Sequence, residues 1–279
     1  MEVNFELQQV SLHSVMVMHE AARSNAAAVI MDYFIVAIDA TMWPHTARAF
    51  RKKLEETYQK PVKYLFVTHS HGDHMMGNAQ FKDATIVASE QLAVAVKRRY
   101  PLEWAPEVMK ERKKDDPQSA AFLDEVEIVY PTVLFHDQME IRDQDLGIEL
   151  HFSGGHTDDS SWAYLPDEKV LFAGDLIFSE WFPYAGDPSC DPERWMAVLR
   201  TWLEMPIERV APGHGPLKGL EVVEDTLKLF EQLKANTLEA IQTGKPAEEI
   251  ALPPPYVMTE DRRWLIEKTL NRWYGFYSL

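Results

Sequence analysis

The chain has 279 residues, 46% of them hydrophobic, and its 44 acidic and 28 basic residues give a formal net charge of -16 at pH 7. This hydrophobic content predicts a folded protein with a sizeable core. Because binding to nucleic acids and to anionic membranes depends on Lys and Arg, the acidic balance argues against both as partners.

Segments in which apolar and β-branched residues cluster between turn signals predict strands along most of the chain. In chain order these strands are 11–18, 27–39, 62–68, 85–88, 132–135, 148–152, 161–165, 169–173 and 208–211. The interleaved segments predicted as helices are 44–59, 89–100, 191–204 and 219–244. Strands that alternate with helices predict an α/β protein.

No linker rich in Gly or Ser divides the chain, so we expect one domain over residues 1–279, with a helical C-terminal subregion at 219–279. Residues 100–124 are polar and charged and include Trp104. That segment is compatible with a lid over a site or with a solvated helical insertion. The basic run VKRRYP at 96–101 is interpreted as a solvated helix end.

The single cysteine, Cys190, excludes an intrachain disulfide and a cysteine-based zinc site. The first ten residues contain neither the basic nor the apolar region of a secretory signal. The most apolar segment, 26–40, is interrupted by Asp32 and is too short to span a bilayer. We therefore expect a cytoplasmic protein.

A dense group of potential metal ligands lies in the stretch THSHGDHMMG, namely His69, His71, Asp73 and His74. The stretch follows a predicted strand, and alternate residues of an extended chain face the same side, so the first two histidines can point to one place. Gly72 is expected to permit a tight turn that brings in the other two side chains from another angle. Imidazole and carboxylate suit a divalent ion such as zinc, so the stretch predicts a metal site, with an exposed polar turn as the alternative.

Three later residues lie where a predicted strand gives way to a loop: His156 in FSGGHTDDS, Asp175 in VLFAGDLIF and His214 in ERVAPGHGP. Sites of α/β proteins are often built in loops beyond strand ends. Each residue alone is compatible with an ordinary turn or helix cap. Together with the first stretch, they bring five of the ten histidines into one predicted arrangement.

The motifs HSHGDH, GGHT, GDL and PGHG, in this order and spacing, resemble those of the metallo-β-lactamase fold superfamily. The resemblance extends from VAIDAT at 36–41 to PGHG and implies a four-layer αβ/βα sandwich with a dinuclear metal site at one sheet edge. The ligands that it implies for the first ion are His69, His71 and His156. Those for the second are Asp73, His74 and His214, with Asp175 bridging both ions. Asp39 matches a position that supports the ligand loop, with a simple turn aspartate as the alternative.

The same resemblance implies a hydrolase in which two ions, about 3.5–4 Å apart, share a hydroxide that attacks a small ester, lactone, thioester or amide. Asp73 is the expected catalytic residue, because it can orient the hydroxide. Zinc, which lowers the pKa of water to about 7, is the expected ion, with iron or manganese as alternatives. The expected partner is a small-molecule substrate, and a homo-oligomer is compatible with the sequence.

The motifs are also compatible with relatives of different activity. Antibiotic-degrading enzymes with a cysteine ligand resemble the pattern but place Cys at position 175, so β-lactamase activity is a minor alternative. Lactonases that resemble this chain often carry Tyr three residues after the bridging aspartate, where Phe178 stands. A glyoxalase II-like thioesterase lacks an evident glutathione-binding cluster here, although Lys218 is available. The pattern further resembles a mononuclear iron persulfide dioxygenase, and it is compatible with a non-catalytic, metal-bearing binding or signalling module.

The aromatic run after the bridging aspartate is predicted to be a loop that walls the substrate pocket. Its predicted pocket residues are Phe178, Trp181, Phe182 and Tyr184, and Trp104 is predicted to contribute to the opposite wall. Apolar and aromatic walls are usual for small-molecule sites. Plain core packing is the alternative for these side chains.

Overall fold

The computed structural model of the protein describes residues 3–115 and 120–279. In these residues the strands form one sheet of seven and one of five. The first sheet contains, in spatial order, β1 (Gln8–Ser11), β2 (Ser14–Val17), β3 (Ala26–Ile30), β4 (Ile35–Ile38), β5 (Val62–Phe66), β6 (Thr85–Ser89) and β7 (Val133–Phe135). The second contains β8 (Gln138–Asp143), β9 (Leu146–Phe152), β10 (Ser161–Leu165), β11 (Val170–Phe178) and β12 (Arg209–His214).

Both sheets are mixed. Strands β1 to β4 pair antiparallel and β4 to β7 pair parallel, while in the second sheet only β11 and β12 are parallel. The helices are α1 (Pro44–Tyr58), α2 (Gly72–Met75), α3 (Glu90–Arg99), α4 (Pro106–Asp115), α5 (Ala120–Leu123), α6 (Pro192–Leu203), α7 (Glu221–Gln242) and α8 (Arg263–Tyr277). Parallel neighbours need a crossover, which α1 supplies between β4 and β5 and α6 supplies between β11 and β12.

The described residues form three hydrophobic core clusters, because alternate residues of the buried strands face different layers. In β4, Ala37 packs in the cluster beneath α1 and α3, whereas Val36 packs in the cluster between the two sheets. In β11, Phe172 faces the same intersheet cluster and Leu171 faces the cluster beneath α6, α7 and α8. Helices therefore cover the outer face of each sheet, which confirms the predicted four-layer sandwich.

The predicted helices all form, but one predicted strand is wrong. Residues 27–39 are a hairpin of β3 and β4, and its turn leaves Tyr33 68% exposed. The turn contains neither Gly nor Pro, so apolar residues on both sides of it resemble a single run. Strands β1 and β8 were not among the predictions, because both lie at sheet edges and alternate exposed polar residues with few buried ones.

The segment at 100–124 packs on the first sheet's helical layer through Trp104, Met109 and Leu123, which are buried in the cluster beneath α1 and α3. The part of the predicted lid at 116–119 lies outside the described residues. The prediction of a solvated helix end at 96–101 is wrong for Arg99, which is only 8% exposed.

None of the helices in the described part of the chain has the length and apolarity needed to cross a membrane.

Candidate metal centre

The seven predicted ligands converge at one edge of the sandwich, where strands of both sheets end. The stretch that contains His69, His71, Asp73 and His74 follows β5 of the first sheet and includes the short helix α2. The second sheet contributes His156 from the loop between β9 and β10, Asp175 from within β11, and His214 from the end of β12. The centre is therefore built from both sheets.

The potential ligand atoms fall into two groups. Those of His69, His71, His156 and Asp175 lie within 4.8 Å of one another, and those of Asp73, His74 and His214 do the same. No other set of three or more such side chains converges in residues 3–115 and 120–279. The division into two groups matches the division into two ions that the sequence motifs predict.

Asp175 lies between the groups and turns one oxygen toward each. Its Oδ2 is 3.7 Å from Nε2 of His69 and 3.5 Å from Nε2 of His156. Its Oδ1 is 3.0 Å from Nε2 of His74 and 3.3 Å from Nε2 of His214. This arrangement suits a carboxylate shared by two cations.

Hydrogen bonds at the rear nitrogens decide which atoms of the first group can bind a metal. His156 Nδ1 donates to the carbonyl oxygen of Tyr184 at 2.9 Å, and His71 Nε2 donates to Asp187 Oδ2 at 3.0 Å. In neutral rings, the other two nitrogens then carry lone pairs, and they face each other at 3.1 Å. Two lone pairs cannot bond to each other, so a cation between them fits the observed geometry.

Asp39 supports the ligand stretch from behind, at the predicted position. Its carboxylate accepts from Thr68 N at 2.8 Å, from Thr68 Oγ1 at 2.9 Å and from His74 Nδ1 at 2.8 Å. Because the Thr68 hydroxyl donates to Asp39, it accepts from His69 Nδ1, at 3.1 Å. The buried His69 Nε2 is left without a hydrogen-bond partner and faces the centre.

The two groups differ in charge. Burial lowers the pKa of His69 well below its ordinary value and that of His156 to about 3, so both rings are neutral. Burial also opposes charge on His214, but Asp175 raises its pKa to about 9. His74 is likewise buried, yet Asp175, Asp39 and Asp73 raise its pKa well above the usual value. Carboxylates that attract protons in this way also attract metal ions, and the five imidazoles and two carboxylates present fit two divalent ions.

Glycines allow close approaches around the centre. A Cβ atom on Gly213 would lie 2.1 Å from Asp175 Oδ1, and one on Gly155 (φ 114°) would lie 3.1 Å from the Trp195 backbone. The chain changes direction at Gly72, as predicted, but without the left-handed backbone that favours glycine: its φ is not positive, and it begins α2. The short helix, which follows His71 directly, redirects the ligand stretch.

The predicted pocket residues fall into two sets. Phe178 stacks on His214 with ring centroids 4.9 Å apart, and the 40% exposed Trp181 lies 5.8 Å from the same ring. Tyr184 lies 6.1 Å from the His71 ring. In contrast, Phe182 is 1% exposed and packs against Tyr256. Phe182, the 3% exposed Trp104 and the 5% exposed Phe178 all lie in hydrophobic core clusters, which agrees with the core-packing alternative for these three side chains.

Sequence reasoning missed Thr68, Asp187 and Arg99. Thr68 adjoins the first ligand, but a single hydroxyl beside a histidine carries no specific signal. Asp187 lies in a loop twelve positions after Asp175, and Arg99 ends α3, so nothing in their spacing connects them to His71. Only the folded chain brings these groups together.

The four-layer sandwich and the two adjoining groups of His and Asp side chains define an α/β protein with a candidate metal site. The chain belongs to the metallo-beta-lactamase superfamily, whose sequence profile matches residues 36–214. This membership confirms the resemblance that the motifs carry. The superfamily typically binds divalent metal ions.

The similar proteins are distant in sequence. A beta-lactamase-like protein 2 homolog of Caenorhabditis elegans is 26% identical over 189 residues, covering 68% of this chain and 54% of the relative. The acyl-coenzyme A thioesterase MBLAC2 of Homo sapiens is 27% identical over 178 residues, covering 61% of this chain and 62% of the relative. The matched region thus spans little more than half of these relatives' lengths. A solved metallo-beta-lactamase from Pontibacter korlensis has a TM-score of 0.64 at 21% identity, covering 82% of this chain and 99% of that one, and shares the fold.

Proposed function

We propose that this protein is a metal-dependent hydrolase that cleaves a small thioester or ester, with lactones and amides as further substrates to be tested. The observation that carries the proposal is the position of Asp175, with one carboxylate oxygen toward each of the two ligand groups. We assign His69, His71 and His156 to the first ion. Asp73, His74 and His214 are assigned to the second ion.

The proposed ions are divalent, with zinc as the first candidate, because imidazole and carboxylate ligands suit it and cysteine is absent from the ligand set. When bound, such ions supply Lewis acidity and water of lowered pKa. Metal analysis distinguishes zinc from iron and manganese.

Asp73 is the proposed catalytic residue among the ligands. Its side chain is 25% exposed, against 4% for that of Asp175, so it can contact an entering water molecule. Burial alone would raise the pKa of Asp73, but His74 and His214 lower it, so the carboxylate is ionised. An ionised carboxylate only accepts hydrogen bonds and can therefore orient the attacking water.

Aromatic rings beside the ligands support a substrate with an apolar part. Phe178 stacks on the His214 ring, and the 40% exposed Trp181 lies beside the same ring, with the Arg262 guanidinium 5.0 Å from its centroid. We propose that Trp181 and Tyr184 contact the acyl group of the substrate. The similarity to an acyl-coenzyme A thioesterase makes a thioester the first substrate to test.

The test combines metal analysis with a matched substrate screen. Purified protein is expected to hold close to two ions per chain, and removal of the ions by a chelator is expected to abolish turnover, which restored zinc recovers. A thioester and an oxygen ester with the same acyl group are compared, with a lactone, a β-lactam and a phosphoester beside them. Asp73→Ala protein serves as the control for hydrolysis that does not depend on the site.

Two results would replace the proposal. One iron per chain, with oxygen consumption on a persulfide, would favour the dioxygenase. Tight ligand binding, with biological activity unchanged in Asp73→Ala, would favour a non-catalytic module. The cytoplasmic location, the single domain and the homo-oligomer stay predictions from the sequence.

A further inference from the structure

A buried ion pair lies behind His71, at the ring nitrogen that points away from the first ligand group. Its members are Asp187, which is 2% exposed, and Arg99, which is 8% exposed. Asp187 Oδ2 accepts from His71 Nε2 at 3.0 Å and from Arg99 Nη2. Burying two charged side chains costs desolvation free energy, which is offset only when each has a partner of good geometry. A buried ion pair at this position therefore calls for a specific role.

The carboxylate of Asp187 is held on both oxygens. Oδ1 accepts from the backbone N–H of Ser189 at 2.8 Å and from the Ser189 hydroxyl at 2.5 Å. Oδ2 accepts from His71 Nε2 and from Arg99 Nη2. Arg99 is fixed in turn, because its Nη1 donates to Glu103 Oε1 at 2.9 Å. Asp187 therefore has little freedom to rotate away from the His71 ring.

We propose that Asp187, held by Arg99, is a positioning residue that presents Nδ1 of His71 to the first metal ion. A neutral imidazole carries one proton, and an acceptor-only carboxylate at Nε2 keeps that proton on Nε2. The lone pair is then on Nδ1, which lies 3.1 Å from His156 Nε2. The inference rests on the assignment of His71 as a ligand in the proposed function.

Arg99 has a second effect, because it balances the charge of Asp187. The pair also joins three separate parts of the chain: the ligand stretch after β5, the loop after β11 and the end of α3. Through Glu103, it extends to the segment at 100–124.

The chain contains a matched control in the neighbouring residue of α3. Arg98 forms a two-pronged ion pair with Asp158, at 2.7 and 2.9 Å, but the two side chains are 48% and 43% exposed. The structure gives this pair no hydrogen bond to a ligand histidine. Arg98→Gln thus removes an exposed ion pair from the same helix and leaves the hydrogen bond between His71 and Asp187 in place.

The experiment measures stepwise zinc dissociation constants by competition with a chelator, together with the absorption spectrum of cobalt-loaded protein. Asp187→Ala is expected to weaken one of the two ions about 10- to 100-fold, as loss of a partner behind a ligand histidine does, and to leave the other nearly unchanged. The cobalt spectrum should change at the same time. Arg99→Gln should weaken the same ion, Arg99→Lys should weaken it less, and Arg98→Gln should leave both ions as they are.

A double-mutant cycle distinguishes positioning from general support of the fold. In a His71→Ala background, Asp187→Ala should cause no further loss of metal affinity. The free energy of unfolding of metal-free protein is measured in urea for every variant. A variant that loses stability but binds both ions as tightly as the wild type overturns the inference, as does equal weakening of both ions.

If Asp187→Ala cannot be recovered folded, Arg99→Lys and Arg99→Gln decide the matter by the same two criteria. None of these readouts requires turnover. Protein that binds two ions in an Asp187-dependent way but hydrolyses none of the substrates would refute the proposed function and leave this inference standing.

Discussion

The two halves of the metal centre obtain their geometry in different ways. In the first group, His69, His71 and His156 each donate from the rear nitrogen to a fixed acceptor. In the second group, His74 also donates from its rear nitrogen, to Asp39, but both His74 and His214 face the carboxylates of Asp73 and Asp175, which favour protonation of the rings.

The difference indicates how each half accepts an ion. The neutral rings of His69 and His156 present lone pairs already, so binding there requires no proton loss from these rings. The rings of the second group hold protons that an ion must displace, so binding there is coupled to proton release. The first group therefore presents lone pairs in place before an ion binds, whereas the second group attracts an ion through its carboxylates and must release protons.

The largest expected effect comes from Asp175, which both halves share. Asp175→Asn keeps the size of the side chain but gives it only one oxygen, so at least one of the groups loses a ligand. We expect the metal content to fall from about two ions to one or none, and kcat/KM to fall by more than about 100-fold, beyond the range for residues behind a ligand. Elemental analysis and turnover of the best substrate check this expectation.

The matched control is Asp145→Asn, in the exposed turn between β8 and β9, which should change neither quantity. Retention of two ions by Asp175→Asn protein would show that the carboxylate does not bridge.

The next prediction concerns how the metal affinities of the two ligand groups depend on pH. The pKa of His214 is about 9, so below that pH an ion of the second group must displace a proton. Its apparent affinity should fall at least about tenfold per pH unit from pH 9 toward neutrality, because His74 holds a proton as well as His214, whereas the affinity of the first ion should change less. Metal titration at pH 7, 8 and 9 measures both, and proton release can be followed with a pH indicator.

The same raised pKa makes the stability of metal-free protein depend on pH. A ring whose pKa is higher in the folded than in the unfolded chain stabilises the fold fully below the unfolded value of 6.5. This contribution is lost as the pH rises through about 9. A urea midpoint of chelator-treated protein that does not decline between pH 6.5 and 9.5 would contradict the assignment.

Substitutions at Asp39 and Thr68 test whether the two ligand groups bind their ions independently. It accepts directly from His74 but reaches His69 only through Thr68. Asp39→Asn should therefore weaken the second ion by about 10- to 100-fold and the first ion less. Thr68→Val removes the hydroxyl that accepts from His69 and donates to Asp39, so it should weaken the first ion more than the second. Stepwise zinc affinities measure both variants, and the reverse order of effects would contradict the comparison.

The smallest effect concerns the substrate and should leave both halves intact. Trp181→Ala removes an exposed ring beside His214 and should raise KM about tenfold, or ~1.4 kcal/mol, for a substrate with an apolar acyl group. Metal content should not change. Tyr33→Ala, at the exposed turn between β3 and β4, is the control. An unchanged KM would remove Trp181 from the proposed wall.

The family resemblance that the motifs carry predicted the fold and the two groups in which the seven side chains converge. It could not predict the partners behind them. Asp187 and Arg99 contact through folding alone, and a basic run such as that at 96–101 gives no indication that Arg98 is exposed while Arg99 is buried. The sequence could not separate pocket residues from core residues for a related reason. Trp181 and Phe182 are adjacent aromatic residues, but the first is exposed and the second is buried.

The position of the centre across both sheets has a mechanical consequence. The ligand stretch after β5 belongs to the first sheet, and Asp175 belongs to the second, so bound ions would act as a cross-link between the two halves of the sandwich. Such a cross-link closes a long loop between His69 and His214, which disfavours the unfolded chain. At an ion concentration of 100 times Kd, mass action adds about 2.7 kcal/mol to the free energy of unfolding for each site. Metal supply would then set how long the folded protein survives heat and proteolysis.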